Sequence, residues 1–297
     1  MNVSGKIHPT AIIHPDADIS ENVSVGPFSI IDENVSIGKG TVIGNNVTIT
    51  GRTAIGDNNK IFHSSSIGEA PQDKKYNDED TKLIIGDNNT IREFCTINRG
   101  TAQDRGETII GNNNWIMAYV HIAHDCIIKN NCIFANASNI AGHVEIDDYA
   151  ILGGFTGVHQ FCKIGAHIIT AVGTVVYKDI PPYIIAAGND SNTRPNGINT
   201  EGLKRRGFSK ESIQKIKQAY KIIYRDENSI DEALIQFDNR TKKAFVEVEV
   251  SDQKFERRDI ETGISDGVYA ELISGVTKDD KIKIWNKTEP IKRGEEE

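Results

Sequence analysis

Val35-Ser36-Ile37-Gly38-Lys39-Gly40-Thr41-Val42-Ile43-Gly44-Asn45-Asn46-Val47-Thr48-Ile49 decides the fold. Ile37, Ile43 and Ile49 fall six residues apart, a period that fits neither a helix at 3.6 nor a single strand at 2. Outward from this stretch the spacing runs back through Ile31, Val25, Ile19, Ile13 and Ile7 and forward through Ile55, Ile61 and Ile67. After an interruption it resumes at Ile85, Ile91 and Ile97. After a second it returns in a new phase at Ile110, Ile116, Ile122, Ile128, Phe134, Ile140, Ile146, Leu152, Val158, Ile164, Thr170 and Val176, where only Thr170 is polar. A short strand and a tight turn supply one inward residue per hexad, and three hexads, about 18 residues, close one triangular coil of a solenoid. Asn and Gly at the corners, as in Gly44-Asn45-Asn46, Asp57-Asn58-Asn59 and Gly111-Asn112-Asn113, tolerate positive φ. The expectation is a mainly β protein: a parallel β-helix within residues 1–190, a short helical region over 191–238 and a small β-rich tail over 239–297.

The chain has 297 residues, with 34 Lys plus Arg against 42 Asp plus Glu and a net charge of −8. No basic face dominates, so nucleic acid is not an expected partner. The start, Met1-Asn2-Val3-Ser4-Gly5-Lys6, lacks the apolar core of a signal peptide. No stretch approaches the roughly 20 apolar residues of a membrane span, so no membrane insertion is expected. Cys95, Cys126, Cys132 and Cys162 form no CxxC pair and read as buried, reduced thiols of a cytoplasmic protein.

The interruptions, at about 69–84 and 98–108, are expelled loops, and a solenoid commonly carries such loops on its binding face. Gln72, Asp73 and Lys75 put an amide, a carboxylate and an ammonium into the first of them, a set suited to a sugar. The stretch His121-Ile122-Ala123-His124-Asp125-Cys126 places two imidazoles beside a carboxylate. His143, His159 and His167 follow, and His143 and His159 stand within a residue of whole coils from His124, so the histidines are candidates for one longitudinal stripe. Stacked histidines suit zinc or general-base catalysis. The base fits better, since tetrahedral ligand sets have tighter spacing, and no metal is expected. The chain carries no Gly-x-Ser-x-Gly or Walker-type loop.

Several narrow motifs resemble the UDP-N-acetylglucosamine O-acyltransferase family, which uses acyl carrier protein and opens lipid A assembly. They are Ile67-Gly68-Glu69 with Gln72-Asp73-x-Lys75-Tyr76, the His121–Cys126 stretch, Ala141-Gly142-His143, Val158-His159-Gln160-Phe161, Pro181-Pro182-Tyr183 and Glu201-Gly202-Leu203-Lys204-Arg205-Arg206-Gly207-Phe208. The resemblance covers about residues 5–236 and implies left-handed coils, a homotrimer with sites between subunits, and no cofactor. It implies that His124 is the general base, oriented by Asp125, and that the Gly142 N–H meets the oxyanion. Gln72, Asp73 and Lys75 are then sugar-binding residues, as His121 and His159 are substrate-binding. His143, Gln160, Asn199, Glu201, Arg205 and Arg206 are expected to hold the nucleotide and its phosphates. Val172 stands near the family's acyl-chain ruler position, and Asn98 where many relatives carry His.

Alternatives are an N-acyltransferase acting on a UDP-amino sugar, a zinc-dependent hexapeptide enzyme and a non-catalytic β-helix such as an ice-binding protein, although no regular Thr ranks are present. Beyond Pro181-Pro182 the spacing becomes helical. Ser209 is a candidate N-cap before Ile213, Ile216, Tyr220 and Ile223, and a second helix is expected near Ser229, with Ile230, Ala233, Leu234 and Phe237 apolar. The family resemblance is expected to end near Asp238. Past it, Ala244–Val250 alternates as a strand does, Thr262–Gly267 reads as a turn, and Glu271–Val276 and Asp280–Trp285 as further strands. That tail resembles the C-terminal β-region of periplasmic efflux-pump adaptors.

Overall fold

The computed structural model describes residues 5–188, 193–224, 229–231, 234–238, 241, 243–251, 254–265 and 269–283. The chain packs as two compact units, Met1–Ser209 and Lys210–Glu297.

The first unit is a left-handed parallel β-helix. Its described strands, mostly two residues long, stack into three sheets, one for each face of a triangular prism. The register places each inward aliphatic residue on its counterpart one coil away: Ile13 on Ile31, Ile31 on Ile49, Ile49 on Ile67, then Ile97, Ile122, Ile140, Val158 and Val176. Both interruptions lie between neighbouring strands of this sheet; the register shifts between Ile67 and Glu69 where the first loop leaves, and the inward residues Ile67, Ile97 and Ile122 stay stacked. From Val25 onward the inward positions are buried. Each buried aliphatic side chain contributes roughly 1.5–3 kcal/mol relative to exposure. Ile7, in the first described coil, is half exposed. Thr170, the polar hexad residue, is also buried: its hydroxyl accepts from the Gly153 N–H at 2.8 Å and shares a hydrogen bond with the Thr156 hydroxyl at 2.8 Å.

The corners hold left-handed backbone at every sixth residue. Asn22, Asn34, Asn46, Asn58, Asn88, Asn113 and Asn131 adopt positive φ, as their side chains favour. Asp125, His143 and Phe161 adopt it too, with φ of 59°, 63° and 66°. One corner of the prism therefore carries these three one above another. The next corner in sequence carries Asn131, Tyr149 and His167 in the same way.

The unit closes with an antiparallel strand, Arg194–Ile198, on Ile184–Ala187, and a short helix α1, Thr200–Arg205. Asn199 caps α1 by accepting the Gly202 N–H at 3.1 Å. Asn199 also donates to the His167 carbonyl at 2.9 Å, which ties α1 to the His167 corner.

The second unit holds helix α2, Lys210–Tyr224, which starts directly after Ser209 and buries Tyr220 and Ile223. With it are five antiparallel strands in the order Ser229–Asp231, Tyr269–Ser274, Lys254–Ser265, Ala244–Ser251, Gln236–Phe237. Their core is Ala244, Val246, Val248, Ile260 and Ala270. The helix expected near Ser229 is instead the strand Ser229–Asp231, paired with Tyr269–Glu271, because that partner strand overrides a short helical spacing. Thr262–Ser265, expected in a turn, extends the strand from Lys254, and Thr262 and Ser265 pair with Leu272 and Ala270. In the last expected strand, Ile282 bridges Val248. Met1–Ser4, Ala233, Asp266, Gly267, Ile284 and Trp285 lie outside the described residues.

Candidate active site

The His121–Cys126 stretch turns one corner of the prism. Ile122 and Cys126 point inward and are fully buried, which leaves His121 and His124 on the outer surface. His124 Nδ1 lies 2.8 Å from Asp125 Oδ2, and the Asp125 side chain is wholly buried. Thr101 completes the carboxylate: its N–H donates to Oδ1 and Oδ2 at 3.0 and 3.1 Å, and its hydroxyl to Oδ2 at 2.6 Å. Burial pushes the Asp125 carboxyl up, but the hydrogen bonds from His124 and Thr101 outweigh it and hold the group below its ordinary value. Asp125 is thus an acceptor-only carboxylate, so in the neutral ring of His124 the contact favours the tautomer with the proton on Nδ1 and the lone pair on Nε2.

Gly142 lies one coil beyond His124. A Cβ there would stand 2.6 Å from His124 Cε1 and 2.8 Å from Nε2, so only glycine lets the ring occupy its place. Among the described residues the Gly142 N–H has no protein acceptor, whereas its carbonyl accepts from Phe161. His143 meets the His124 ring edge-on at 5.0 Å and stacks on Phe161 at 4.4 Å. His121 Nδ1 is 2.7 Å from the Thr96 hydroxyl, and burial pushes the His121 imidazole below its ordinary value.

His121, His124, Gly142, His143 and Phe161 line a groove of about 800 Å³. Gln72, Asp73 and Lys75 reach it from the first inserted loop, and His121, His124, Gly142, His143, His159 and Gln160 from the coils. The loop is braced from the second insertion: Arg99 Nε donates to the Tyr76 hydroxyl at 3.0 Å, and Gln103 to Glu79 at 3.1 Å. Asn98 also lines the groove, and its amide donates to the Glu69 and Ala70 carbonyls at 3.3 and 3.0 Å.

Within one chain the remaining expected residues do not reach the groove. Asn199, Glu201, Arg205 and Arg206 belong to α1 and its caps, at the His167 corner, where the Arg206 guanidinium lies 4.9 Å over the Tyr149 ring. His167 stacks there on Tyr149 and leaves the histidine stripe. Val172 is 77% exposed, beside the corner residue Gly173. Thr96, Thr101 and Asp104 were not singled out in the sequence reading, and the second insertion, which carries two of them, was its only signal. His124, Asp125 and His143 have ligand atoms close enough for a shared metal ion, as do the exposed His14, Asp16 and Glu33. In the first cluster each Nδ1 is already paired with a carboxylate, His124 with Asp125 and His143 with Asp104, which is the arrangement of oriented bases.

A profile described as UDP-N-acetylglucosamine O-acyltransferase, domain 2, matches residues 179–255, and a bacterial transferase hexapeptide profile matches 16–51 and 107–142. The first match extends past Asp238, into the antiparallel strands, to residue 255. The acyl-[acyl-carrier-protein]–UDP-N-acetylglucosamine O-acyltransferase of Thiobacillus denitrificans is 63% identical over 227 residues, 76% of this chain and 87% of that protein. The solved UDP-N-acetylglucosamine acyltransferase of Francisella novicida is similar at 48% identity with a TM-score of 0.73, over 75% of this chain and 81% of that one. That of Campylobacter jejuni is similar at 39% identity and a TM-score of 0.70, over 74% of this chain and 85% of that one.

Proposed function

The chain belongs to the family of acyl-carrier-protein-dependent UDP-N-acetylglucosamine O-acyltransferases, and we propose that its reaction runs on the imidazole of His124. The protein transfers an acyl chain from acyl carrier protein to UDP-N-acetylglucosamine in lipid A biosynthesis. The observation that carries the catalytic assignment is the 2.8 Å contact of His124 Nδ1 with a buried carboxylate that is itself held by Thr101.

His124 Nε2 takes the proton of the sugar 3-hydroxyl as its oxygen attacks the thioester carbonyl. The carbonyl oxygen gains the negative charge, and the Gly142 N–H, which has no acceptor among the described residues, is the donor for it. The intermediate collapses, the carbon–sulfur bond breaks, and the thiolate leaves with the proton held on His124. Asp125 stabilises the imidazolium between the two transfers. Gln72, Asp73, Lys75 and His121 bind the sugar, and His143, His159 and Gln160 its nucleotide side.

We extend the reading to a cytoplasmic homotrimer acting on 3-hydroxyacyl chains. In a cyclic trimer two different patches meet at each interface. The His124 corner of one chain then faces the α1 corner of the next, which supplies Asn199, Glu201, Arg205 and Arg206 to the nucleotide, and Val172 bounds the acyl chain. Arg guanidinium forks suit a diphosphate. Among the described residues no helix is long and apolar enough to cross a membrane.

The test is transfer from purified acyl carrier thioester to UDP-N-acetylglucosamine, with wild type beside His124→Ala. A loss on the order of 10²–10⁴-fold is expected. Near-normal turnover in the variant would overturn the assignment.

A further inference from the structure

We propose that Asp104 is a positioning residue for substrate binding: it fixes the tautomer of His143 and so presents Nε2 to the nucleoside-diphosphate sugar. The proposal rests on the reading of His143 as a nucleotide-side residue and adds to it a partner from the second insertion.

Asp104 lies in a turn whose ends are close, since the Asp104 and Gly106 N–H groups donate to the Thr101 carbonyl at 3.4 and 3.1 Å. Thr101, at the start of that turn, is anchored on Asp125. The turn therefore delivers two side chains from one anchored segment, Thr101 to the His124–Asp125 pair and Asp104 to His143. Asp104 Oδ2 is 2.7 Å from His143 Nδ1. Asp125 Oδ2 is 3.9 Å from the same nitrogen, too far for a hydrogen bond, and it already accepts from His124 and Thr101. Asp104 is thus the carboxylate that His143 addresses.

The ring itself is held in place. His143 sits at a left-handed corner and stacks on Phe161 at 4.4 Å with an interplanar angle of 8°. A carboxylate only accepts, so the partner nitrogen carries the proton and the far nitrogen is free for a ligand. Without Asp104, no hydrogen bond among the described residues fixes the tautomer of a ring that lines the groove, and part of the population offers the wrong nitrogen to the substrate. An outer partner that orients a ligand-binding imidazole typically contributes about 10–100-fold in affinity in metal sites. A substrate hydrogen bond calls for the lower end of that range.

The experiment pairs steady-state kinetics with ¹⁵N NMR of ring-labelled histidine, on the full-length protein, for Asp104→Ala and Asp104→Glu. For Asp104→Ala the KM for UDP-N-acetylglucosamine is expected to rise about 10-fold while kcat stays within about twofold. The His143 signals are expected to lose their Nδ1–H pattern. Asp104→Glu, which keeps the carboxylate, is expected to recover both readouts in part, which a merely structural loop residue would not show. An Asp104→Ala protein that keeps the Nδ1–H pattern, or keeps the parent KM, overturns the proposal. The NMR reading needs no turnover, so it stands or falls independently of the assignment of His124.

Discussion

Thr101 and Asp125 are 24 residues apart in sequence and form the shortest link in the site, hydroxyl to carboxylate at 2.6 Å. That link stands behind His124, because the same carboxylate oxygen accepts from His124 Nδ1. Thr101→Val removes the hydroxyl and keeps the backbone donor. A hydrogen bond to a charged group contributes about 1.5–3 kcal/mol. A drop in kcat of about 10-fold or more is therefore expected, with the fold retained by circular dichroism. Parent-like kcat in Thr101→Val would show that the backbone N–H alone holds Asp125.

Gly142→Ala tests the contact between coils. The added Cβ collides with Cε1 and Nε2 of His124, the latter the proposed proton acceptor. The ring has to turn, and a displacement of about 1 Å at a catalytic group costs on the order of 10²-fold. The expected outcome is a loss of kcat of at least that size with the β-helix intact. A variant with parent kcat would mean that the ring moves freely in the groove.

How much of this was legible in the sequence follows from which contacts repeat. The hexad announced the prism because every inward position meets an identical environment one coil away, so Ile37, Ile43 and Ile49 had to match. Thr170 broke the pattern only because Gly153 and Thr156 satisfy its hydroxyl, which no periodicity reports. The histidines were visible as a group, but one residue of offset from a whole coil moved His143 onto the corner itself, and an extra hexad on top of that offset put His167 on the next corner. Asp104 and Thr101 carry no period at all, since their partners lie across an insertion and the coil stack. The strand Ser229–Asp231 depended on a partner contributed by a distant segment.

Stability should fall as the solution becomes acidic. His121 has its proton affinity lowered by burial and by His124, and His167 by burial and by Arg206. The unfolded chain binds those protons more tightly, so stability present above the ordinary histidine value of 6.5 is lost as the pH falls below it. Asp125 acts in the same sense at lower pH, because its folded value lies under 3.8. A falling thermal midpoint from pH 7 to 5.5 is expected, shallower in His121→Asn. A midpoint that rose over that range would contradict the burial of both imidazoles.

Val172 bears on chain length. It is exposed in the single chain, so on the proposed trimeric arrangement any hold on the acyl group would come from a surface formed with another copy. A β-branched residue shortens a pocket relative to glycine. A methylene's worth of room changes discrimination by about 10–200-fold. Val172→Gly should shift relative rates toward longer 3-hydroxyacyl carriers, measured with a series of thioesters in competition. Unchanged preference would remove Val172 from the acyl site.

The separation of Arg205 from His124 within one chain makes the site's composition testable by mixing. His124→Ala removes the proposed base and Arg205→Ala removes an exposed guanidinium from α1. Each variant alone should be weak, the first in kcat and the second in KM for the sugar nucleotide. If a site takes His124 from one subunit and Arg205 from the next, co-refolding equal amounts rebuilds intact sites. Random assembly of a cyclic trimer gives both parent residues at about a quarter of sites. Activity measured at low sugar-nucleotide concentration should then rise well above the mean of the two variants. Activity equal to that mean would place both residues in sites built from one chain, and the three-subunit arrangement would have to be abandoned.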